Sequence, residues 1–312
     1  MKLTPPDSGH SPGDAPKDPL APDIARAARY LREAGALIIA AGAGMGVDSG
    51  LPDFRGTDGF WRAYPAIARR GLRFEAMAQP RWFAEDPALA WAFYGHRMNL
   101  YRATVPHAGF GQLLELGTRL PHGAFVFTSN VDGHFQKAGF PEDRIIECHG
   151  SIHHFQCQAP CTKDIWDAAG ETVIVNETTF LAEPPLPACR HCGGLARPNV
   201  LMFDDRLWLS QRTEAQDARW EPWMRAVAAD NAPLVIVEIG AGTAVPSVRL
   251  WTEYVARLNG GRLVRINTRE ATVPRGQIGL PLGGAEGIRR LLNALGGAAQ
   301  SANPGLFRLG RQ

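Results

Sequence analysis

The chain has 312 residues, 45% of them apolar and 21% charged, enough to bury one large core or two unequal ones. Thirty-three basic against 31 acidic side chains leave a formal charge of +2, which excludes the strong positive field that would argue for nucleic acid or an anionic membrane as partner. No apolar run approaches the roughly 18 residues that cross a bilayer, and residues 1–20 lack the apolar core of a secretory signal, so a disordered leader on a soluble, cytoplasmic protein is expected.

Ile24, Ala27, Ala28 and Leu31 fall at i, i+3, i+4 and i+7 and predict a helix capped by Asp23 and closed by Gly35. The apolar run 36–41 predicts a buried strand that enters Gly42-Ala43-Gly44 directly. Residues 56–103 read as helical and aromatic-rich, with Asp86 capping and Pro87 starting a helix that places Tyr94 and Arg97 on one face. Further buried strands are expected at 125–127, 145–147, 234–239 and 262–266. They end in Thr128-Ser129-Asn130, His149-Gly150, Gly240-Ala241-Gly242 and Asn267-Thr268, and ligands of open α/β sheets bind at such carboxyl ends. Residues 151–197 break the rhythm, with a short strand expected only at 173–175, and the segment after 295 reads as weakly ordered.

The fold class is therefore α/β: a Rossmann-like doubly wound parallel sheet over residues 21–55, 104–150 and 198–297. A smaller domain is built from the insertions 56–103 and 151–197, and residues 298–312 form a tail.

Four of the five cysteines are grouped as Cys157-x3-Cys161 and Cys189-x2-Cys192, two close pairs separated by 27 residues. Such pairs can meet around a tetrahedral zinc ion with all four ligands from the protein, which makes the metal structural rather than an activator of water. His153, His154 and His191 stand nearby as alternative ligands. The fifth cysteine, Cys148, and the adjoining His149 stand just before this group.

Five segments occur in an order that resembles the sirtuin family: AGAGMGVDSGLPDFRG at 41–56, TSNVDGHFQKAG at 128–139, ECHG at 147–150, RPNVLMFDD at 197–205 and IGAGTAVP at 239–246. The resemblance implies that Gly42, Ala43, Gly44, Asp53, Phe54 and Arg55 surround the NAD pyrophosphate and nicotinamide ribose, with Phe54 as a flap over the reacting sugar carbon. By the same match Ser129 and Asn130 face the nicotinamide ribose and Asp132 the carboxamide. Gly240, Gly242 and Asn267 face the adenosine half, and Gly284-Ala285 closes over adenine. His149 is the implied general base, while Val200 and Phe203 line an acyl-lysine tunnel. Tyr94 and Arg97 resemble the Tyr-x-x-Arg pair of sirtuins that accept succinyl and malonyl lysine.

The implied activity is NAD-dependent removal of acyl groups from lysine, releasing nicotinamide and 2′-O-acyl-ADP-ribose, on a protein or peptide substrate. An NAD glycohydrolase or mono-ADP-ribosyltransferase would use the same site, and a non-catalytic NAD sensor is the reading from another class. Five departures stand out: Ser129 for Gln, His134-Phe135 for Leu-His, Cys148 for Leu, Asp204 for Gly, and Pro246 one position early. Oligomeric state is not encoded in these motifs.

Overall fold

The computed structural model describes residues 18–52 and 64–301, with side chains as far as residue 296. In chain order the strands are β1 (Ala36–Ala41), β2 (Ala124–Thr128), β3 (Ile145–Glu147), β4 (Gly150–Cys157), β5 (Ile165–Asp167), β6 (Val175–Asn176), β7 (Leu181–Ala182), β8 (Ala196–Val200), β9 (Leu234–Ile239), β10 (Arg262–Ile266) and β11 (Ile278–Leu280). Six of them form one parallel sheet in the order β3-β2-β1-β9-β10-β11. That is the doubly wound order, and its direction of winding reverses between β1 and β9, where a crevice opens at the strands' carboxyl ends.

The runs ALIIAA and LVIVEI are buried throughout because helices cover both faces of the sheet. Leu37, Ile39, Val235 and Val237 pack in one cluster with Ile24 and Leu31 of helix Ala21–Glu33 and Ile288 of helix Gly284–Ser301. Ile38, Ala40 and Ile236 pack on the other face with Val227 of helix Trp220–Ala229 and with Val248 and Val255 of helix Ser247–Asn259. The one ion pair inside the sheet among the described residues, Glu238 with Arg265, joins neighbours in register on β9 and β10. Arg265 also donates to Glu253 at 2.9 Å and to the Thr272 carbonyl at 2.5 Å, so its buried charge is satisfied and the loop after β10 is held down.

A third cluster lies beside the sheet. It joins the helix Pro87–Ala103 to β4, β7 and β8 through Trp91, Phe93, Tyr94, Phe155 and Ala196, and Trp91 Nε1 donates to the Ala196 carbonyl at 3.0 Å. β4 pairs antiparallel with both β5 and β8, a short sheet absent from the expectations above.

Four local expectations are corrected. Helix Ala21–Glu33 begins after Leu20, which makes no side-chain cap, and Asp23 sits within the first turn, paired with Arg26 at 3.0 Å. Gly35 does not close that helix by a left-handed turn. A Cβ there would stand 2.8 Å from that of Ala232, so glycine answers a close approach. The strand expected at 173–175 shifts to Val175–Asn176, because Val173 is drawn against Gly95, where a Cβ would lie 2.4 Å from it, and its carbonyl accepts from Asn99 at 2.9 Å. The segment after 295, expected to be weakly ordered, continues the last helix as far as Ser301.

Candidate active site and metal centre

Two glycines, in the turns that follow β1 and β9, meet at the crevice. Gly44 N donates to the Gly240 carbonyl at 3.1 Å, and a Cβ on Gly240 would stand 2.4 Å from the Gly44 backbone. Gly240 has φ +63°, a region glycine enters without penalty. On one side of this contact lies a cavity of about 220 Å³ whose walls include Gly44, Gly240, Asn267, Arg269 and Gly284. On the other lies a cavity of about 270 Å³ bounded by Ala43, Ser129, Asn130, Asp132, His149, Tyr94, Arg97, Val200 and Phe203.

The structure thus brings most of the expected site residues to two adjoining cavities. Gly42 and Gly242 are buried behind the walls rather than in them. Asp53, Phe54 and Arg55 lie outside the described residues. The Ala285 N–H is taken by Asp48 Oδ2 at 2.7 Å, which ties the start of helix Gly284–Ser301 to the loop after β1. Asn267 spends its side chain on the loop that follows it: Nδ2 donates to the Ala241 carbonyl at 2.7 Å, and Oδ1 accepts from the Arg269 and Glu270 N–H groups.

Asn130 and Asp132 are buried by design of the turn after β2. Asn130 Nδ2 donates to the Gly42 carbonyl at 3.0 Å, linking this turn to the glycine loop, and Asp132 Oδ1 accepts from His134 N at 2.9 Å, starting the short helix His134–Lys137. His134, in place of leucine, is fully buried against the rings of Tyr101 and Phe110.

His149 follows β3 and precedes Gly150, whose φ of +74° and whose missing Cβ, which would fall 2.1 Å from the Asn199 carbonyl, let the chain turn sharply into β4. Below it, buried Glu147 is held by Arg212 at 2.6 Å and Gln216 at 3.3 Å, although burial pushes its carboxyl above the usual range. His149 Nε2 is within hydrogen-bond distance of Ser247 Oγ, and desolvation holds its imidazole below its ordinary pKa. The neighbouring Cys148 thiol is pushed up to about 12 by burial, which removes it as a nucleophile at neutral pH.

Arg97 is buried in an aromatic cage. Its guanidinium carbon lies 5.2–5.9 Å from the ring centres of Phe74, Phe93, Tyr94 and Tyr101, and its Nε and Nη2 donate to Tyr101 Oη at 3.1 and 2.8 Å. Tyr101 and Phe74 are cavity residues that the sequence reading missed. Tyr101 was detectable in principle, since Tyr94, Arg97 and Tyr101 stand at i, i+3 and i+7 of one helix.

The segment that runs from Val200 at the end of β8 to Phe203 in the turn after it is locked by a buried bidentate pair, Arg197 to Asp205 at 2.6 and 3.0 Å. Leu201 N donates to the His149 carbonyl at 2.9 Å and Phe203 N to the Ala78 carbonyl at 3.0 Å, which fixes this segment beside the base. Asp204 has φ +57°, a left-handed conformation that aspartate tolerates better than most residues, so the backbone path of a glycine is kept. Its carboxylate is exposed and accepts from Gln79 Nε2 at 3.4 Å.

The four clustered thiols fit a zinc ion. All four Sγ atoms lie within 4.8 Å of one another, with Cys157–Cys192 and Cys161–Cys189 each at 3.7 Å. A tetrahedron of sulfurs about 2.3 Å from zinc has edges of about 3.8 Å. The three histidine alternatives fall away from this group: His191 pairs with Asp164 at 2.9 Å, His153 Nε2 is bound to the Asp132 carbonyl, and His154 is no part of the cluster. Cys157 ends β4 and Cys189 and Cys192 precede β8, so a metal here would pin one end of a strand pair whose other end carries Gly150 and Val200.

Comparison with known proteins gives consistent matches. A family model described as the Sir2 family matches residues 42–221. An NAD-dependent protein deacylase of Thermococcus sibiricus is 31% identical over 254 residues, covering 80% of this chain and 87% of that protein. An NAD-dependent protein deacylase 2 of Pyrobaculum aerophilum is 32% identical over 238 residues, covering 76% and 81%. Among solved structures, a Sir2 homologue in complex with NAD superposes with a TM-score of 0.64 at 27% identity, covering 88% of this chain and 94% of that one.

Proposed function

The chain belongs to the Sir2 family, and from that membership we propose how its residues divide the work of an NAD-dependent lysine deacylase that releases nicotinamide and 2′-O-acyl-ADP-ribose. The observation that carries the reading is the single cavity of about 270 Å³ that gathers His149, Asn130 and Asp132 with Tyr94, Arg97, Val200 and Phe203. NAD, when bound, supplies an electron-poor ribose carbon and a nicotinamide leaving group.

The protein's part is to position, to exclude water and to move one proton. Gly44 and Gly240 let the loops after β1 and β9 close on each other beside the cofactor crevice, and Asn130 and Asp132 offer an amide and a carboxylate to the nicotinamide half. His149, held neutral by burial, accepts a ribose hydroxyl proton at its imidazole. Val200 and Phe203 enclose the aliphatic stem of the acylated lysine. Arg97 and Tyr94, deeper in the cavity, suit an acyl group that ends in a carboxylate, because a guanidinium gives paired hydrogen bonds and a phenol one more. Zinc on the four cysteines keeps β4 and β8 in place and takes no part in the chemistry. We assign the smaller domain to residues 56–103 and 151–197, in keeping with the separate apolar cluster that these segments share.

Mass spectrometry of products from NAD and a panel of acetyl-, malonyl- and succinyl-lysine peptides tests this reading. Deacylated peptide with equimolar nicotinamide and 2′-O-acyl-ADP-ribose is expected. Free ADP-ribose with the acyl-lysine intact would replace the deacylase reading with that of an NAD glycohydrolase.

A further inference from the structure

His107 stands immediately before helix Ala108–Thr118, and all three of its nitrogens are engaged. Nδ1 accepts from Gly109 N at 3.1 Å and so caps the helix, Nε2 lies 3.1 Å from the Met45 carbonyl, and the main-chain N–H donates to Ser49 Oγ at 2.9 Å. These partners fix the tautomer. A ring nitrogen that accepts an N–H must present a lone pair, so Nδ1 is bare and the proton sits on Nε2, donated to Met45. Desolvation lowers the pKa of this half-buried ring, and His134 adds to the effect, although the Met45 carbonyl and Asp48 pull the other way; the neutral form is kept near neutral pH. The seat is shaped for the ring: a Cβ on Gly109 would stand 2.6 Å from His107 Cε1, and Phe110 meets it edge to face with ring centres 5.0 Å apart.

Met45 and Ser49 belong to the loop after β1, which has four glycines in residues 42–50. Gly44, Val47 and Asp48 of this loop, which includes the short helix Gly44–Val47, face the cavity of about 220 Å³, while Met45 is fully buried. Among the described residues, three hydrogen bonds tie 45–50 to distant parts of the chain. Two involve His107, across 62 and 58 positions, and the third runs from Ala285 N to Asp48. We infer that His107 is a positioning residue for the cofactor, holding the glycine loop in its binding shape from outside the two cavities, neither of which it lines. The inference rests on the reading of those cavities as the NAD site. Glycine loses more conformational freedom on ordering than any other residue, so a loop this rich in glycine costs binding energy unless it is already held. A tether that orders it beforehand raises affinity without adding a contact to the ligand. The loop meets the cofactor in the ground state and the transition state alike, so the gain falls on cofactor binding rather than on the chemical step.

Calorimetry of the full zinc-loaded chain with ADP-ribose, the part of NAD left when nicotinamide departs, tests this apart from activity. His107→Asn separates the two duties of the ring, since asparagine is among the best helix caps but is too short to reach Met45. This variant is expected to keep the wild-type Tm and to bind ADP-ribose about fivefold more weakly, as fits the loss of one hydrogen bond. Its KM for NAD should rise in the same proportion with kcat nearly unchanged, the signature of lost uniform binding. Ser49→Ala removes the second tie and leaves the ring in place, so it carries the test even where the asparagine variant fails to fold; it is expected to weaken ADP-ribose about twofold. Long-range proton–nitrogen NMR of the wild type should show His107 as the Nε2–H tautomer. Equal ADP-ribose affinity in wild type and both variants, a loss confined to kcat, or an Nδ1–H tautomer would each overturn the role of His107 and leave the NAD site standing. A wild type that binds neither ADP-ribose nor NAD would overturn the site reading itself, and this inference with it.

Discussion

His149 and Ser247 meet side chain to side chain, Nε2 to Oγ at 3.2 Å, although 98 positions separate them in sequence. The serine is the first residue of helix Ser247–Asn259, so the imidazole also faces the positive end of a helix dipole. Both the dipole and burial disfavour the imidazolium.

The acid limb of kcat/KM is accordingly expected below pH ~6.5, the ordinary histidine value. The sign follows from the lowered pKa: the neutral base persists as pH falls past 6.5 and is lost only through its lower folded-state value. A pH–rate profile checks this, and an acid limb above 6.5 would remove His149 as the titrating group. His149→Ala should reduce deacylation about 10²–10⁴-fold while NAD binding, followed by calorimetry, persists.

Arg97→Met is expected to lower desuccinylation at least roughly tenfold more than deacetylation, as fits the loss of about 1.5–3 kcal/mol of charge-assisted hydrogen bonding. Tyr101→Phe should do so more weakly, because Tyr101 Oη accepts from Arg97 and so orients it. Steady-state kinetics on matched acetyl and succinyl peptides separate the two effects. Equal losses on both peptides would leave Arg97 with a packing role only.

One zinc per chain is expected by elemental analysis. The double substitution Cys189→Ser/Cys192→Ser should lose the metal, lower Tm and remove deacylation together, because β4 and β8 would be untied at the end opposite His149. A stable, active double variant without zinc would refute the structural role.

Gly240→Ala should cost about 2–5 kcal/mol, combining a left-handed backbone with overpacking against Gly44. Asp204→Gly should change stability by less than about 1 kcal/mol, since glycine takes the same backbone conformation and the side chain is exposed. Urea denaturation of both variants compares them directly.

Much of the sheet was legible because its strands are unbroken apolar runs: 36–41, 145–147, 234–239 and 262–266 have the bounds of β1, β3, β9 and β10. The cysteine tetrad was legible from spacing, and the Asp86 cap from the Asp-Pro pair, whose carboxylate accepts from Leu89 N at 3.0 Å. β4 was hidden because its sequence GSIHHFQC carries polar residues that are buried and satisfied by distant partners, such as Gln156 donating to the Leu207 carbonyl. Asp204 stands in sequence as a departure from glycine, and only its left-handed backbone and outward carboxylate show how it replaces one. Periodicity and ligand spacing act over a few neighbouring residues, so composition along the chain determines them. The contacts of His149 with Ser247 and of Gly44 with Gly240 join segments far apart in sequence, and they exist only once the order of the strands has brought those segments to the same edge of the sheet.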